Sequence, residues 1–164
     1  MRRVRAYLCQ IEREMAMSEN ADLMKLYSAR ILALAADIPH LERLENPSGT
    51  AHRRAPLCGS TVTVDVAVKD GKISDFGQDV KACALGQAAA SVVGSNAIGS
   101  TREDILRAHD QLLAMLREEG PAPEAPFDAL EVLIPARDYK NRHASIMLCL
   151  DATLDALDAA EEAA

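Results

Sequence analysis

The sequence predicts an α+β fold, a small antiparallel β-sheet packed against several α-helices, and three observations carry that prediction. The hydrophobic period switches from helical to strictly alternating and back again only once along the chain. An Asp-Gly pair joins the two alternating runs, as a tight hairpin requires. Helical stretches follow the strands instead of alternating with them, which is the order of an α+β domain and not of repeated βαβ units.

The elements follow in chain order. Residues 1–17 read as a flexible N-terminal extension, with Met15 and Met17 as alternative starts, and residues 18–164 as a single domain. Residues 20–36 read as an amphipathic helix with Leu23, Leu26, Ile31, Leu32 and Leu34 on or near one face. Residues 39–56 contain Asn46-Pro47-Ser48-Gly49 and read as loop, although a third strand is expected ahead of the hairpin. Over residues 61–68 Val62, Val64, Val66 and Val68 alternate and so share one face of a strand. Lys69-Asp70-Gly71-Lys72 is the turn, and residues 73–80 return as the second strand. Residues 82–98, rich in Ala, read as a buried helix that Gly99 stops. Ser100 and Glu103 form the pattern of a capping box that opens a helix reaching about Glu119. Gly120-Pro121-Ala122-Pro123 and Pro126 break the chain before a short helix over 127–133. A last helix runs over 142–160 and carries Asp151, Asp155 and Asp158 outward.

Composition narrows the function classes. A chain of 164 residues holds one domain with a real core. With aromatics at 3% and no Trp, that core must be built from Ala, Leu, Val and Ile, so elements can approach closely. A net charge of −7 excludes nucleic acid as the main partner, because phosphate binding needs a basic footprint. The local clusters Arg2-Arg3 with Arg5, and His52-Arg53-Arg54, read as solvated surface. No apolar run is long enough for a membrane span, and the first residues lack the apolar core of an export signal. A cytoplasmic, reducing compartment is therefore expected.

In such a compartment free cysteines serve as fillers, nucleophiles or metal ligands. The four lie at positions 9, 58, 83 and 149 with no CxxC pair, which excludes a zinc knuckle or a thioredoxin motif. Cys58 directly precedes the first strand of the hairpin, beside Gly59, which leaves room at the backbone. Cys83 follows the second strand. Because a hairpin returns to where it began, Cys58 and Cys83 should meet in space. Cys83 also opens a helix, where orphan N–H groups and the helix dipole favour a thiolate. His143 opens the last helix, where the same positive end favours an uncharged, ligating imidazole; taken alone it reads as hydrogen-bonded to a carbonyl, and beside the two cysteines as a ligand. Ser60 reads first as a turn hydroxyl. Cys149 lies about 140° around the helix from residue 144 and reads as apolar filler. Cys9, in the extension, is given no role. Two thiolates and one imidazole make a borderline-soft set that suits Zn²⁺ or an iron–sulfur cluster.

Three stretches resemble one family in order over residues 22–158. Leu57-Cys58-Gly59-Ser60, followed by a valine strand, resembles the Cys-Gly-Asp motif of NifU/IscU-type iron–sulfur cluster scaffolds. Lys81-Ala82-Cys83-Ala84-Leu85-Gly86-Gln87 with its Ala- and Ser-rich continuation resembles their second-cysteine helix. His143-Ala144-Ser145-Ile146-Met147 resembles their His-Cys-Ser-Ile-Leu segment. The resemblance implies a scaffold, not an enzyme, on which a transient 2Fe-2S cluster forms from iron and from sulfur supplied by a cysteine desulfurase. The cluster then passes to recipient apo-proteins. It implies Cys58, Cys83 and His143 as ligands, with Ser60 beside them. The chain departs from the family where Ser60 replaces Asp and Ala144 replaces the third Cys. Arg137-Asp138-Tyr139-Lys140-Asn141 likewise departs from the Pro-rich chaperone-recognition stretch. A zinc-binding or SufE-like sulfur-transfer adaptor of a desulfurase is the alternative. An enzyme with a Cys–His nucleophile pair would need an orienting third group, for which the sequence holds no signal.

Overall fold

Valines that alternate over a strand must bury one face, and the sheet does so. The computed structural model describes the backbone of residues 2–164 and the side chains of 5–17 and 26–164. Strands β2 (Thr61–Lys69) and β3 (Lys72–Lys81) form the expected antiparallel hairpin, with Val66 opposite Phe76 and Val62 opposite Val80. Asp70 and Gly71 at its tip have φ of 52° and 74°, the positive pair that a tight primed turn demands. Val62, Val64, Val66, Ile73 and Phe76 are buried.

The third strand lies inside the stretch read as loop. β1 (Gly49–Arg54) pairs antiparallel with β2, and the sheet order is β1-β2-β3. Its sequence concealed it because His52, Arg53 and Arg54 are exposed on an edge strand, so no apolar alternation marks it. Gly49 is a point of close contact with the last helix. A Cβ there would collide with the Ala156 carbonyl and come within 2.6 Å of the Ala160 nitrogen. The opposite face of the sheet is covered by residues 39–48, tied down at Asp65. That fully buried carboxylate accepts from the Arg43 guanidinium at 2.6 Å, the Thr50 hydroxyl at 2.5 Å and the Leu44 N–H at 3.1 Å.

Helices α1 (Arg2–Leu26), α2 (Ala29–Ala36), α3 (Ala84–Asn96), α4 (Arg102–Arg117) and α5 (Lys140–Ala163) complete the fold, with a 3-10 helix at Asp128–Asp138. α5 packs on β1, β2, α3 and α4 and forms the centre of the core. Several boundaries differ from the sequence reading. The segment 20–36 is two helices, because the Ser28 hydroxyl accepts from the Ile31 N–H and starts a new one. The side chain of Leu23 lies outside the described residues. Residues 2–17 lie in the first part of α1, a stretch rich in good helix formers. The capping box sits one residue later than read, on Thr101 and Asp104, while the Ser100 hydroxyl donates to the Asn96 carbonyl. The short helix over 127–133 is the longer 3-10 segment, and α5 begins at Lys140. All three outward aspartates are paired, Asp151 with His109, Asp155 with Arg53 and Asp158 with Arg102. Among the described residues no helix is long and apolar enough to cross a membrane.

Candidate functional site

The strand ends determine where the two cysteines lie. Arg54 pairs with Thr61, and Thr61 pairs in turn with Lys81, so the β1–β2 loop and the exit of β3 share one end of the sheet. Cys58 is on that loop and Cys83 is the N-cap of α3. The loop is closed by bonds from the Ala55 N–H to the Ser60 carbonyl at 2.8 Å and from the Gly59 N–H to the Ala55 carbonyl at 3.0 Å. Gly59 has φ of 71°, which a residue with a side chain adopts only with strain. The side chain of Cys58 is thereby left exposed on the surface, while Cys83 is half-buried.

Ser60 joins the two. Its Oγ is 3.1 Å from Cys58 Sγ and accepts from the Cys83 N–H at 3.4 Å. It also lies 3.0 Å from the hydroxyl of Ser145 on α5, and Ser145 Oγ is 3.3 Å from Cys83 Sγ. An unbroken run of polar atoms therefore connects Cys58, Ser60, Ser145 and Cys83. Ser145 is only 1% exposed. It reaches this position because α3 carries Gly86 where it crosses α5. A Cβ on Gly86 would stand 2.7 Å from Ser145 Oγ and 3.1 Å from the Ser145 carbonyl.

The electrostatics favour a thiolate at Cys58. Burial alone would raise its pKa. Hydrogen bonds from the Ser60 hydroxyl and backbone N–H, from the Ser145 hydroxyl, and the charge of Arg142 outweigh that, and the thiol lies below its ordinary value. Cys149 shows the opposite. It is buried against Gln78 Oε1 at 3.4 Å, and burial pushes its thiol up to about 12, so it stays a neutral filler. Cys9 is exposed on α1.

His143 is buried at the start of α5. Its Nε2 lies 2.9 Å from the Ala136 carbonyl and 3.1 Å from the Arg137 carbonyl at the end of the 3-10 helix. Carbonyls only accept, so Nε2 carries the hydrogen and the lone pair of the neutral ring belongs to Nδ1. No three His, Cys, Asp or Glu side chains among the described residues come together as a metal-binding group. The structure thus gathers Cys58, Cys83 and Ser60, adds Ser145, and leaves His143 outside that cluster.

Ser145 was missed as a site residue in the sequence. Its trace there is Gly86: a glycine inside a helix costs about 1 kcal/mol against Ala, which flags a close approach by another element. A separate cavity of about 660 Å³ lies at the other end of the sheet, between Gly71, Arg102, Leu157 and Glu161.

No protein-family model and no curated protein matches the chain. Solved structures do. The crystal structure of the N-terminal part of a nitrogen-fixing NifU-like protein from Brucella abortus is similar with a TM-score of 0.84 and 43% identity, over 87% of this chain and 99% of that one. A candidate iron–sulfur cluster assembly scaffold protein for the SUF system from Fervidobacterium islandicum shares the fold with a TM-score of 0.70 and 21% identity, over 82% of this chain and 98% of its own.

Proposed function

The chain belongs to the NifU-like N-terminal-domain family, and from that premise we propose that it is an iron–sulfur cluster assembly scaffold or carrier. The observation that carries the proposal is the meeting of Cys58 and Cys83, from two separate segments, on the single hydroxyl of Ser60. A surface pair of thiols, one of them favoured as thiolate, suits soft cargo that must enter and leave.

In this reading Cys58 and Cys83 are the thiolate ligands of iron or of a transient 2Fe-2S cluster, and His143 supplies Nδ1. A ligating imidazole ordinarily donates its other N–H to a carbonyl, and Nε2 of His143 does so to Ala136. Ser60 ties the Cys58 sulfur and the Cys83 backbone N–H to a common hydroxyl, and that hydroxyl donates to the Cys58 thiolate. Sulfur comes from a cysteine desulfurase, and the cluster goes to recipient apo-proteins in the cytoplasm. Leu57, 79% exposed beside Cys58, offers those partners an apolar contact at the exchange point. The protein supplies ligands and turns over no substrate of its own. Anaerobic reconstitution with iron and sulfide should yield cluster absorption and transfer to an apo-acceptor. Absence of that absorption, with stoichiometric zinc in its place, would defeat the cluster reading.

The absence of a thiol at Ala144, together with the lowered Cys58 thiol, favours a second reading: a zinc-binding or SufE-like sulfur-transfer adaptor. There the Cys58 thiolate attacks the outer sulfur of a desulfurase persulfide. It forms a Cys58 persulfide, which keeps the proton, and releases the desulfurase thiolate. Loss of desulfurase stimulation in Cys58→Ala but not in Cys83→Ala would select this reading.

A further inference from the structure

We propose that the hydroxyl of Ser145 is a donor of the site beside the Cys58 and Cys83 thiols. The inference rests on the reading of Cys58 and Cys83 as ligands given above and names a further donor. Its warrant is spacing. Two tetrahedral donors on one ion, a thiolate at about 2.3 Å and an oxygen at about 2.0 Å, stand about 3.5 Å apart. Ser145 Oγ lies 3.3 Å from Cys83 Sγ and 3.0 Å from the Ser60 hydroxyl, which is itself 3.1 Å from Cys58 Sγ. The Ser145–Cys83 separation is that of two donors that could share an ion, and Ser60 links Ser145 to Cys58.

Burial and packing show that the position is built. Ser145 is 1% exposed in a helix whose neighbours in the chain are mainly apolar core residues. The hydroxyl is accommodated by a glycine on the facing helix that leaves no room for even a methyl group. A buried hydroxyl needs partners, and the partners of Ser145 are the Cys83 sulfur and the hydroxyl of Ser60. A neutral hydroxyl is a weak ligand, so an incoming sulfur or a recipient's thiolate could displace it. That weakness suits a site that gives up its cargo.

Cobalt(II), added alone to the apo-protein without oxygen, tests the assignment, because thiolate-to-cobalt charge transfer reports how many sulfurs bind. Wild type should show the two-thiolate spectrum, abolished in Cys58→Ala. In Ser145→Cys the charge-transfer absorption should rise about 1.5-fold as a third thiolate joins the first two. Ser145→Ala should keep the fold and the two-thiolate spectrum while binding cobalt about 10-fold more weakly. Charge transfer unchanged in Ser145→Cys, or affinity unchanged in Ser145→Ala, overturns the assignment. So does a third thiolate signal from Ala144→Cys without one from Ser145→Cys. A wild type with no thiolate–cobalt absorption at all overturns the parent reading, a different outcome from any of these.

Discussion

Gly86→Ala sets two effects of similar size against each other. In an isolated helix the change stabilises by about 1 kcal/mol, since Ala is the best helix former and Gly among the worst. In this fold the new Cβ would stand 2.7 Å from Ser145 Oγ, 3.0 Å from Ala82 Cβ and 3.1 Å from the Ser145 carbonyl. The hydroxyl could rotate away, but only by leaving Cys83 and Ser60, at about 1 kcal/mol for the lost bonds. The carbonyl and Ala82 cannot rotate, and relieving them means separating α3 from α5, an overpacking cost of about 1–3 kcal/mol. The balance is a net loss of about 1–3 kcal/mol, or roughly 3–10 °C in Tm for a chain of this size. Urea denaturation gives the stability, and cobalt titration of the same variant should show weakened binding. A variant that is stabilised by the full helix-propensity gain and binds cobalt as wild type does would refute the close helix crossing on which the site depends.

Three further outcomes are expected. Gly49→Ala should cost about 3 kcal/mol or more in urea denaturation, because the two nearest atoms its Cβ would meet are α5 backbone that cannot turn aside. His109 on α4 bonds Asp151 on α5 at 2.9 Å and Asp110 at 3.0 Å, and the Asp151 bond, against an opposing burial effect, raises its pKa. A raised histidine stabilises fully below its unfolded value of about 6.5 and loses that contribution as pH climbs through the higher folded value. The stability difference between wild type and His109→Gln should therefore shrink as the pH is raised from mildly acidic to alkaline; a constant difference would remove the ion pair from the account. Iodoacetamide at neutral pH should modify Cys58 first and Cys149 only on unfolding, as mass mapping of the labelled peptides would show; early labelling of Cys149 would contradict its burial.

The sequence exposes those features of the fold that are periodic or local. Alternating valines and Asp70-Gly71 define the hairpin, because burial of one face and positive φ leave direct marks on residue choice. β1 leaves no such mark, since an edge strand of Thr, His and Arg buries mainly Gly49, and a glycine contact carries no side-chain pattern. The capping box was displaced by one residue because Ser100–Glu103 and Thr101–Asp104 both fit the spacing. Only tertiary structure, which turns the Ser100 hydroxyl back to Asn96, decides between them. The site divides in the same way. That Cys58 and Cys83 meet follows from hairpin topology alone. That Ser145 stands between them follows from a crossing of two helices distant in sequence. Where His143 points is set by the carbonyls ending the 3-10 helix, which no local pattern announces.

Metal and sulfide analysis of protein purified without oxygen, wild type beside Cys58→Ala, Cys83→Ala and Cys149→Ala, tests the central claim most directly. Bound metal should be present in wild type and Cys149→Ala and lost in either of the other two, since neither thiol holds it alone. Metal retained in Cys58→Ala or in Cys83→Ala would contradict the account.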